Sequence, residues 1–210
     1  ITDGTEDVSA NITITVLGEN DNPTAQDDVG VINEGSTLTV QNSSNANVSG
    51  SFDANGENSG DVIHTSSSSH KDSDPDTSNT LSISHIKKSG GSNSTVSSGS
   101  SYNSSGTSVT GTYGTLTIGA DGSYKYIADQ DAADSIAASE QQDDIFVYTI
   151  TDGTEDVSAN ITITVLGEND NPTAQNDVGV INEGSTLTVQ NSSNANAVSY
   201  THLRAHETSL

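Results

Sequence analysis

Apolar and polar side chains alternate strictly along two stretches of the chain, a pattern typical of a β-strand with one buried face. In the first stretch the apolar face is formed by Val8, Ala10, Ile12, Ile14 and Val16. The second stretch, Val157 to Val165, repeats this pattern. Shorter alternations predict strands near residues 38–40, 81–83, 116–118, 123–128 and 145–150. The chain is therefore predicted to be all-β.

The segments between these strands differ in composition. Residues 41–80 and 89–110 are rich in Ser, Asn and Gly, and we expect them to form long mobile loops. Residues 130–142 are rich in Ala and acidic residues and predict a short helix or a turn. About seven short strands separated by turns favour an immunoglobulin-like antiparallel β-sandwich, with a closed barrel as the alternative.

The composition excludes several classes of partner and chemistry. The 210 residues include 29 acidic and 5 basic side chains, and the net charge of −24 repels nucleic acid and anionic membranes. The chain has no Cys, so disulfides and thiolate sites are excluded. Apolar residues make up 30% of the chain and aromatic residues 4%, so we expect a thin aliphatic core and no membrane insertion.

A long internal repeat dominates the organisation of the sequence. Residues 1–47 return at 150–196 with one change in 47 positions, Asp27 to Asn176. We interpret the chain as a fragment of a tandem array. Its predicted parts are the last strands and linker of one repeat (1–23), a complete repeat (24–172) and the start of another (173–196). Residues 1–17 duplicate the last strand of the complete repeat, so we expect them to be disordered or strand-swapped.

The last 14 residues, 197–210, break the repeat and its composition abruptly. They look like translated sequencing-adapter DNA and are predicted to be a non-native tail. A divergent segment of the protein is the alternative. No function is assigned to them.

Acidic and amide side chains gather in three places. Glu19-Asn20-Asp21-Asn22-Pro23 directly follows a predicted strand, and the same motif recurs at Glu168 to Pro172. Asp72, Asp74 and Asp76 alternate within one loop, and Asp152 precedes Gly153 just after a strand. Such closely spaced oxygens suit Ca²⁺, which binds about six to eight of them.

Four segments of the chain resemble a known family. They are YTITDGTEDVSANITITVLGENDNP, YGTLTIGADGSYKYIAD, DDVGVINEGSTLTV and DSDPD. Together they are similar to the cadherin-like VCBS repeats of large bacterial RTX-type surface adhesins, over nearly all of residues 1–196. The resemblance implies calcium at each junction between repeats. The implied ligands are Glu19, Asn20, Asp21, Asn22, Glu34, Asp74, Asp76, Asp152, Glu168, Asn169, Asp170 and Asn171.

Counting strand directions divides these residues between two junctions. Asp74, Asp76 and Asp152 are expected at one end of the repeat, where linker 19–22 enters. Glu34 is expected at the opposite end, beside linker 168–171. The motif departs from the cadherin pattern because Gly18 and Gly167 stand where the first linker Asp belongs, which predicts fewer or weaker ions. Neither junction is expected to be complete in this chain.

Other chemistries find little support in the sequence. The loop that begins at Asp72 lacks the Gly and Glu of an EF-hand. Asp143 and Asp144 form a carboxylate pair, but the chain is poor in aromatic side chains that would stack on a sugar. His64, His70 and His85, which lie in or beside polar loops, are predicted to be solvated. We therefore predict a protein without catalytic residues.

The sequence favours a structural extender repeat of a secreted, cell-surface adhesin that supports adhesion or biofilm attachment. Its predicted partners are neighbouring repeats of the same chain and a cell-surface or glycan target of the parent protein. Two alternatives remain open. One is a glycan- or surface-binding module that binds through its Ser- and Asn-rich loops, one of them flanked by Tyr102 and Tyr113, and the other is an accessory repeat of a secreted RTX toxin or enzyme.

Overall fold

The computed structural model divides the chain into two compact units, residues 1–170 and residues 171–210. The residues it describes are 1–41, 51–52, 60–64, 70–76, 79–172, 174–176 and 178–187. None of these residues is helical, so none belongs to a helix that is long and apolar enough to cross a membrane. The predicted tail, 197–210, lies outside the described residues.

All ten described strands belong to the first unit. They are β1 (Asp28–Asn33), β2 (Thr37–Val40), β3 (Ser51–Phe52), β4 (Ser82–Lys88), β5 (Ser94–Thr95), β6 (Thr107–Thr110), β7 (Thr115–Ile118), β8 (Tyr124–Ile127), β9 (Gln141–Thr151) and β10 (Asp156–Leu166). In the second unit, the described residues include one turn, in which Ser185 N–H donates to the carbonyl of Asn182 over 3.1 Å.

The strands form two sheets in a sandwich-like arrangement. The larger sheet has the order β3-β1-β10-β9-β4-β5, and the smaller has the order β2-β8-β7-β6. Neighbouring strands are antiparallel except β1 and β10, which pair in parallel from Asp28 opposite Ile161 to Asn33 opposite Leu166. The all-β prediction is confirmed. The expectation of a purely antiparallel sandwich is wrong at this one pair.

The core lies between the sheets and follows from the alternation in the sequence. Phe146, Tyr148 and Ile150 point inward from β9 and are fully buried. Leu116 and Tyr126 face them from the smaller sheet and are also fully buried. The rings of Tyr126 and Phe146 meet edge to face, with centroids 6.0 Å apart, a geometry that adds to the hydrophobic stabilisation.

The predicted loops need correction, and of the two alternatives for residues 130–142 the structure has the turn. Residues 89–110 are not one mobile loop, since they form β5 and β6 and bury Val96 in the core. Within 41–80, much of which lies outside the described residues, Val62 and Ile63 are buried. Residues 130–142 contain turns and the start of β9, with Ala133 and Ile136 in the core. In each case a polar segment packs onto the core through a few apolar side chains, because their burial is favourable.

The alternation over residues 8–16 predicts a strand, whereas the duplication predicts that residues 1–17 are disordered or strand-swapped. Residues 9–17 form no strand, and the side chains of Ile12, Ile14 and Val16 are exposed. The same sequence forms β10, which fills the position between β1 and β9. The second copy therefore occupies the single position in the described sheet, and residues 9–17 pair with none of the described strands.

A glycine in β1 allows the two sheets to approach closely. A Cβ atom on Gly30 would lie 2.8 Å from Leu38 Cδ2 and 2.9 Å from Ile163 Cδ1. Gly30→Ala is expected to lower the free energy of unfolding by about 1 to 3 kcal/mol through overpacking. Urea unfolding checks this. Gly18→Ala is the control, because its Cβ would meet nothing within 4 Å, and an equal loss in both variants would contradict the explanation.

Candidate functional site

The upper end of the sandwich, where β1 begins and β9 ends, carries a tight turn at Asp152. The Asp152 Oδ1 atom accepts hydrogen bonds from the N–H groups of Thr154 and Glu155, each over 2.7 Å. Gly153 has a φ of +99°, a conformation that glycine adopts without strain. The bond from Glu155 is the main cause that lowers the pKa of Asp152, and those from Thr154 and Asn20 add to it. The carboxylate is thus held ionised at neutral pH.

The first linker reaches the same end of the sandwich. Asn20 Nδ2 donates to Asp152 Oδ2 over 3.0 Å, and the backbone N–H of Asp21 donates to Asp76 Oδ2 over 2.8 Å. Just beyond the buried Pro23, the backbone of Thr24 pairs with Ser73 in both directions, over 2.8 and 3.0 Å. The linker is therefore anchored to two different loops.

The loop that holds Asp74 and Asp76 completes this end. Asp74 Oδ1 accepts the N–H of Asp76 over 2.7 Å, whereas Asp74 Oδ2 is buried and has no hydrogen-bond partner within the described part of the chain. Asn79 Nδ2 donates to Asn20 Oδ1 over 3.3 Å. We call Asn20, Asp21, Asp74, Asp76 and Asp152 the upper cluster.

The structure thus brings together five of the seven residues that the sequence assigns to this end. The other two, Glu19 and Asn22, are exposed, as are Asn20 and Asp21. Sequence reasoning missed Asn79, although an amide three residues after Asp76 in the same loop was an available signal.

The lower end of the sandwich is built around Glu34, which follows β1 and is only 8% exposed. Its Oε1 atom accepts the backbone N–H of Glu168 over 2.7 Å, and its own N–H donates to the carbonyl of Leu166 over 2.9 Å. Its Oε2 atom is buried and has no hydrogen-bond partner within the described residues. Glu34 therefore presents one bound and one free carboxylate oxygen beside the second linker.

Residues of the second linker vary in how firmly they are held. Glu168 Oε1 accepts Asn33 Nδ2 over 2.6 Å, a contact that the sequence did not predict. Asn169 donates from Nδ2 to the carbonyl of Asp170 over 3.2 Å, and both side chains are exposed. Asn171, in the second compact unit, is exposed as well.

The oxygen atoms at both ends are of the kind that binds calcium, but they do not surround a common point. All are carboxylate, amide or backbone oxygens, the type that Ca²⁺ binds, and Asp74 Oδ2 and Glu34 Oε2 are buried without a hydrogen-bond partner among the described residues. However, no group of three or more His, Asp or Glu side chains is close enough to hold an ion together anywhere in the described residues. A bound Ca²⁺ would therefore have to replace some of the amide hydrogen bonds to these carboxylates.

Asp72 is separated from the other two carboxylates of its loop. It is 2% exposed and accepts the N–H of Gln26 over 2.7 Å, while the Tyr148 hydroxyl lies 3.1 Å from Oδ2. Burial is the main cause that raises the pKa of Asp72 to about 7. The prediction of three carboxylates on one bend therefore does not extend to Asp72, because its carboxylate is held in the core by Gln26 and Tyr148.

The remaining candidates of the sequence lie elsewhere. Asp144 is buried and Asp143 is exposed, so the pair does not face one cleft. His64 is half exposed, and a hydrogen bond from its ring nitrogen to the Asp61 carboxylate raises the pKa of the imidazole. Tyr102 and Tyr113 are both partly buried.

The sequence was also compared with known proteins. No protein family matches the chain, and no curated protein matches it.

Proposed function

We propose that this protein is a structural extender repeat of a secreted bacterial surface adhesin, in which Ca²⁺ stiffens the joints between cadherin-like, immunoglobulin-type sandwiches. The observation that carries the proposal is the position of the two linkers. One contacts Asp76 and Asp152 and the other contacts Glu34, at opposite ends of one sandwich. A module that receives one linker at each end is suited to form a straight chain.

The electrostatics support a role for a divalent cation. The chain has a net charge of −24, and repulsion of this kind opposes close approach of neighbouring modules. The unpartnered oxygens of Asp74 and Glu34 add a local cost, because a buried carboxylate oxygen has lost its contacts with water. Binding of Ca²⁺ would offset the repulsion between modules and the cost of the buried carboxylate oxygens. It would also link each linker to the neighbouring loops.

The proposal predicts that Ca²⁺ stabilises the protein. After treatment with a chelator, addition of Ca²⁺ at about ten times its Kd is expected to add about 1.4 kcal/mol, or roughly 3 to 6 °C in Tm. Calorimetric titration measures the uptake directly. Mg²⁺ at the same concentration should have a smaller effect, because it requires a stricter geometry and retains its water.

Three variants locate the binding. Asp74→Asn and Glu34→Gln are each expected to reduce the calcium-induced rise in Tm, and the double variant to abolish it. Asp134→Asn is the matched control, since Asp134 is an exposed aspartate that is not among the proposed ligands. A rise in Tm that is the same in all four chains would rule out ions at these joints.

The mechanical part of the proposal needs a chain of several repeats. Small-angle scattering of a tandem array is expected to give a larger radius of gyration with Ca²⁺ than with a chelator. If calcium binds but the radius stays unchanged, the ions stabilise single modules and do not straighten the array. The role as an extender would then be excluded, while the metal sites would remain.

The alternatives receive less support. A glycan-binding module requires exposed aromatic platforms, and Tyr102 and Tyr113 are partly buried. Tyr113 also packs against the hydrophobic core. An accessory role beside a toxin or an enzyme depends on residues outside these 210, and no contact within the sandwich favours it.

A further inference from the structure

The chain contains two identical copies of one strand but a single position for it in the described sheet. Residues 7–17 have the same sequence as β10, residue for residue, with an offset of 149. In β10 the side chains of Ile161, Ile163 and Val165 are fully buried between β1 and β9. Their counterparts Ile12, Ile14 and Val16 are 80 to 90% exposed.

We propose that residues 7–17 act as a donor strand that occupies the β10 position of a second copy of this chain. The occupant is fixed by sequence identity, because every contact that β10 makes with β1 and β9 is available to residues 7–17. Ile14, for example, would reproduce the packing of Ile163 against Gly30. The exposed apolar face of residues 7–17 thus matches the position between β1 and β9 of another copy.

Insertion within the same chain is prevented by the upper cluster. The strand β10 has 11 residues and spans about 35 Å, from the upper to the lower end of the sandwich. In the β10 position Leu17 would lie at the lower end, yet Asn20, three residues later, contacts Asp152 at the upper end. Three residues reach only about 10 Å. The donor strand must therefore come from another copy.

The same geometry fixes the direction of assembly. The donor strand would end at the lower end of the acceptor, and the upper cluster of the donor would follow within a few residues. Within a single chain, Glu34 accepts the N–H of Glu168 over 2.7 Å. After exchange, Glu34 of the acceptor would face the N–H of Glu19 of the donor, which is the counterpart of Glu168. Copies would associate head to tail, a heterologous contact that does not close and so extends into a filament.

Each exchange exposes the acceptor's own β10 while it buries the donor strand, so the parent chain gains little from it. A chain with a damaged β10 makes the inference testable. In Ile163→Asp the acceptor position can be filled only by residues 7–17 of another copy, because a buried aspartate side chain destabilises β10 itself. This variant is expected to form β-rich oligomers, measured by light scattering after size exclusion at high salt, where the repulsion between the chains is screened.

The companion variant removes the donor as well. Ile14→Asp combined with Ile163→Asp is expected to stay monomeric and largely unfolded, as judged by circular dichroism. The proposal fails if Ile163→Asp alone is an unfolded monomer, or if both variants aggregate to the same extent.

Disulfide trapping in the otherwise intact chain gives an independent test, since the chain has no native Cys. Thr162 lies opposite Ile145 in the β9–β10 pair, so Thr13 is placed opposite Ile145 after exchange. Thr13→Cys with Ile145→Cys should form at least about fivefold more linked oligomer than Thr15→Cys with Ile145→Cys, because Cα atoms in a disulfide lie about 4.4 to 6.8 Å apart. Equal yields from the two pairs would overturn the predicted register.

Discussion

Replacing Asp144 with alanine is expected to lower the free energy of unfolding by about 4 kcal/mol, because its carboxylate serves several buried donors. Asp144 is 1% exposed. Its Oδ1 atom accepts Thr112 N–H over 2.8 Å, and Oδ2 accepts the N–H groups of Tyr113 and Gly114 over 3.0 and 3.2 Å. The Tyr126 hydroxyl donates to Oδ2 over 3.0 Å. Alanine leaves all four donors without a partner.

The tight turn before β7 surrounds this carboxylate closely in the parent chain. A Cβ atom on Gly111 would lie within 2.1 Å of Asp144 Oδ2, and one on Gly114 would lie 2.3 Å from the carbonyl oxygen of Ile127. The backbone has closed around the carboxylate and leaves no room for another side chain. Because a domain of this kind is stable by only about 5 to 15 kcal/mol, the loss is a large share of the total.

Asp143 provides the matched control for this experiment. It precedes Asp144, is exposed, and accepts one bond from Thr164 Oγ1 over 2.8 Å. Asp143→Ala is expected to change the free energy of unfolding by less than about 0.5 kcal/mol. Urea unfolding of both variants in the presence of a chelator separates the effect from calcium binding. Similar losses in the two variants would contradict the argument from burial.

The sequence predicts the burial of Asp144 but not the groups that bind its carboxylate. Asp144 is in phase with Phe146, Tyr148 and Ile150, which form the buried face of β9. A strand period of two places its side chain in the core, where a carboxylate needs several donors. Which donors those are depends on the turn at residues 111–114, which is distant in sequence and was not predictable from the pattern.

The duplicated segment separates local from tertiary determinants of the fold. In both copies the aspartate turn forms, since Asp3 Oδ1 accepts Thr5 and Glu6 N–H just as Asp152 does for its own neighbours. The bond from Glu6 is the main cause that lowers the pKa of Asp3 to about 2. The strand that follows forms only in the second copy, where β1 and β9 flank it. Alternation predicts the face of a strand but not whether a partner exists.

At the candidate site, too, the sequence predicts some features and not others. The direction of each strand, counted from the sequence, was sufficient to assign the linkers to opposite ends. The count did not reveal which oxygens are already used by backbone amides, such as Asp74 Oδ1 and Asp152 Oδ1, because those bonds depend on turn geometry. It also did not reveal that Asp72 faces the core.

Asp72→Asn is expected to stabilise the protein by about 2 to 4 kcal/mol at neutral pH, at about 1.4 kcal/mol per pKa unit. Tyr148 supplies the geometric reason. Its hydroxyl donates to the carbonyl of Gln26 over 2.7 Å, and it also lies 3.1 and 3.2 Å from the two oxygens of Asp72. A hydroxyl has one proton, so a protonated Asp72 makes the better set of bonds. Asparagine supplies a comparable donor without a charge.

The sign of the pH dependence follows from the direction of the pKa shift. Burial raises the pKa of Asp72 from 3.8 to about 7 in the folded state. Below the lower value the carboxyl is protonated in both states, and it contributes nothing to the pH dependence. As the pH rises from 3.8 to about 7, the unfolded state releases its proton first, so this group progressively destabilises the fold. Above about 7 the penalty is constant.

The difference in stability between Asp72→Asn and the parent chain should therefore grow across that interval and then level off. Urea unfolding at several pH values, with a chelator present, measures it. Asp134→Asn removes one exposed carboxylate and so controls for the change in net charge. Its free energy of unfolding should differ from that of the parent chain by a small amount that varies little with pH. A difference that is the same below pH 3.8 and above pH 7 would show that Asp72 titrates normally in the folded protein. Asp72 would then be accommodated as a carboxylate, with the Tyr148 proton directed to it rather than to Gln26.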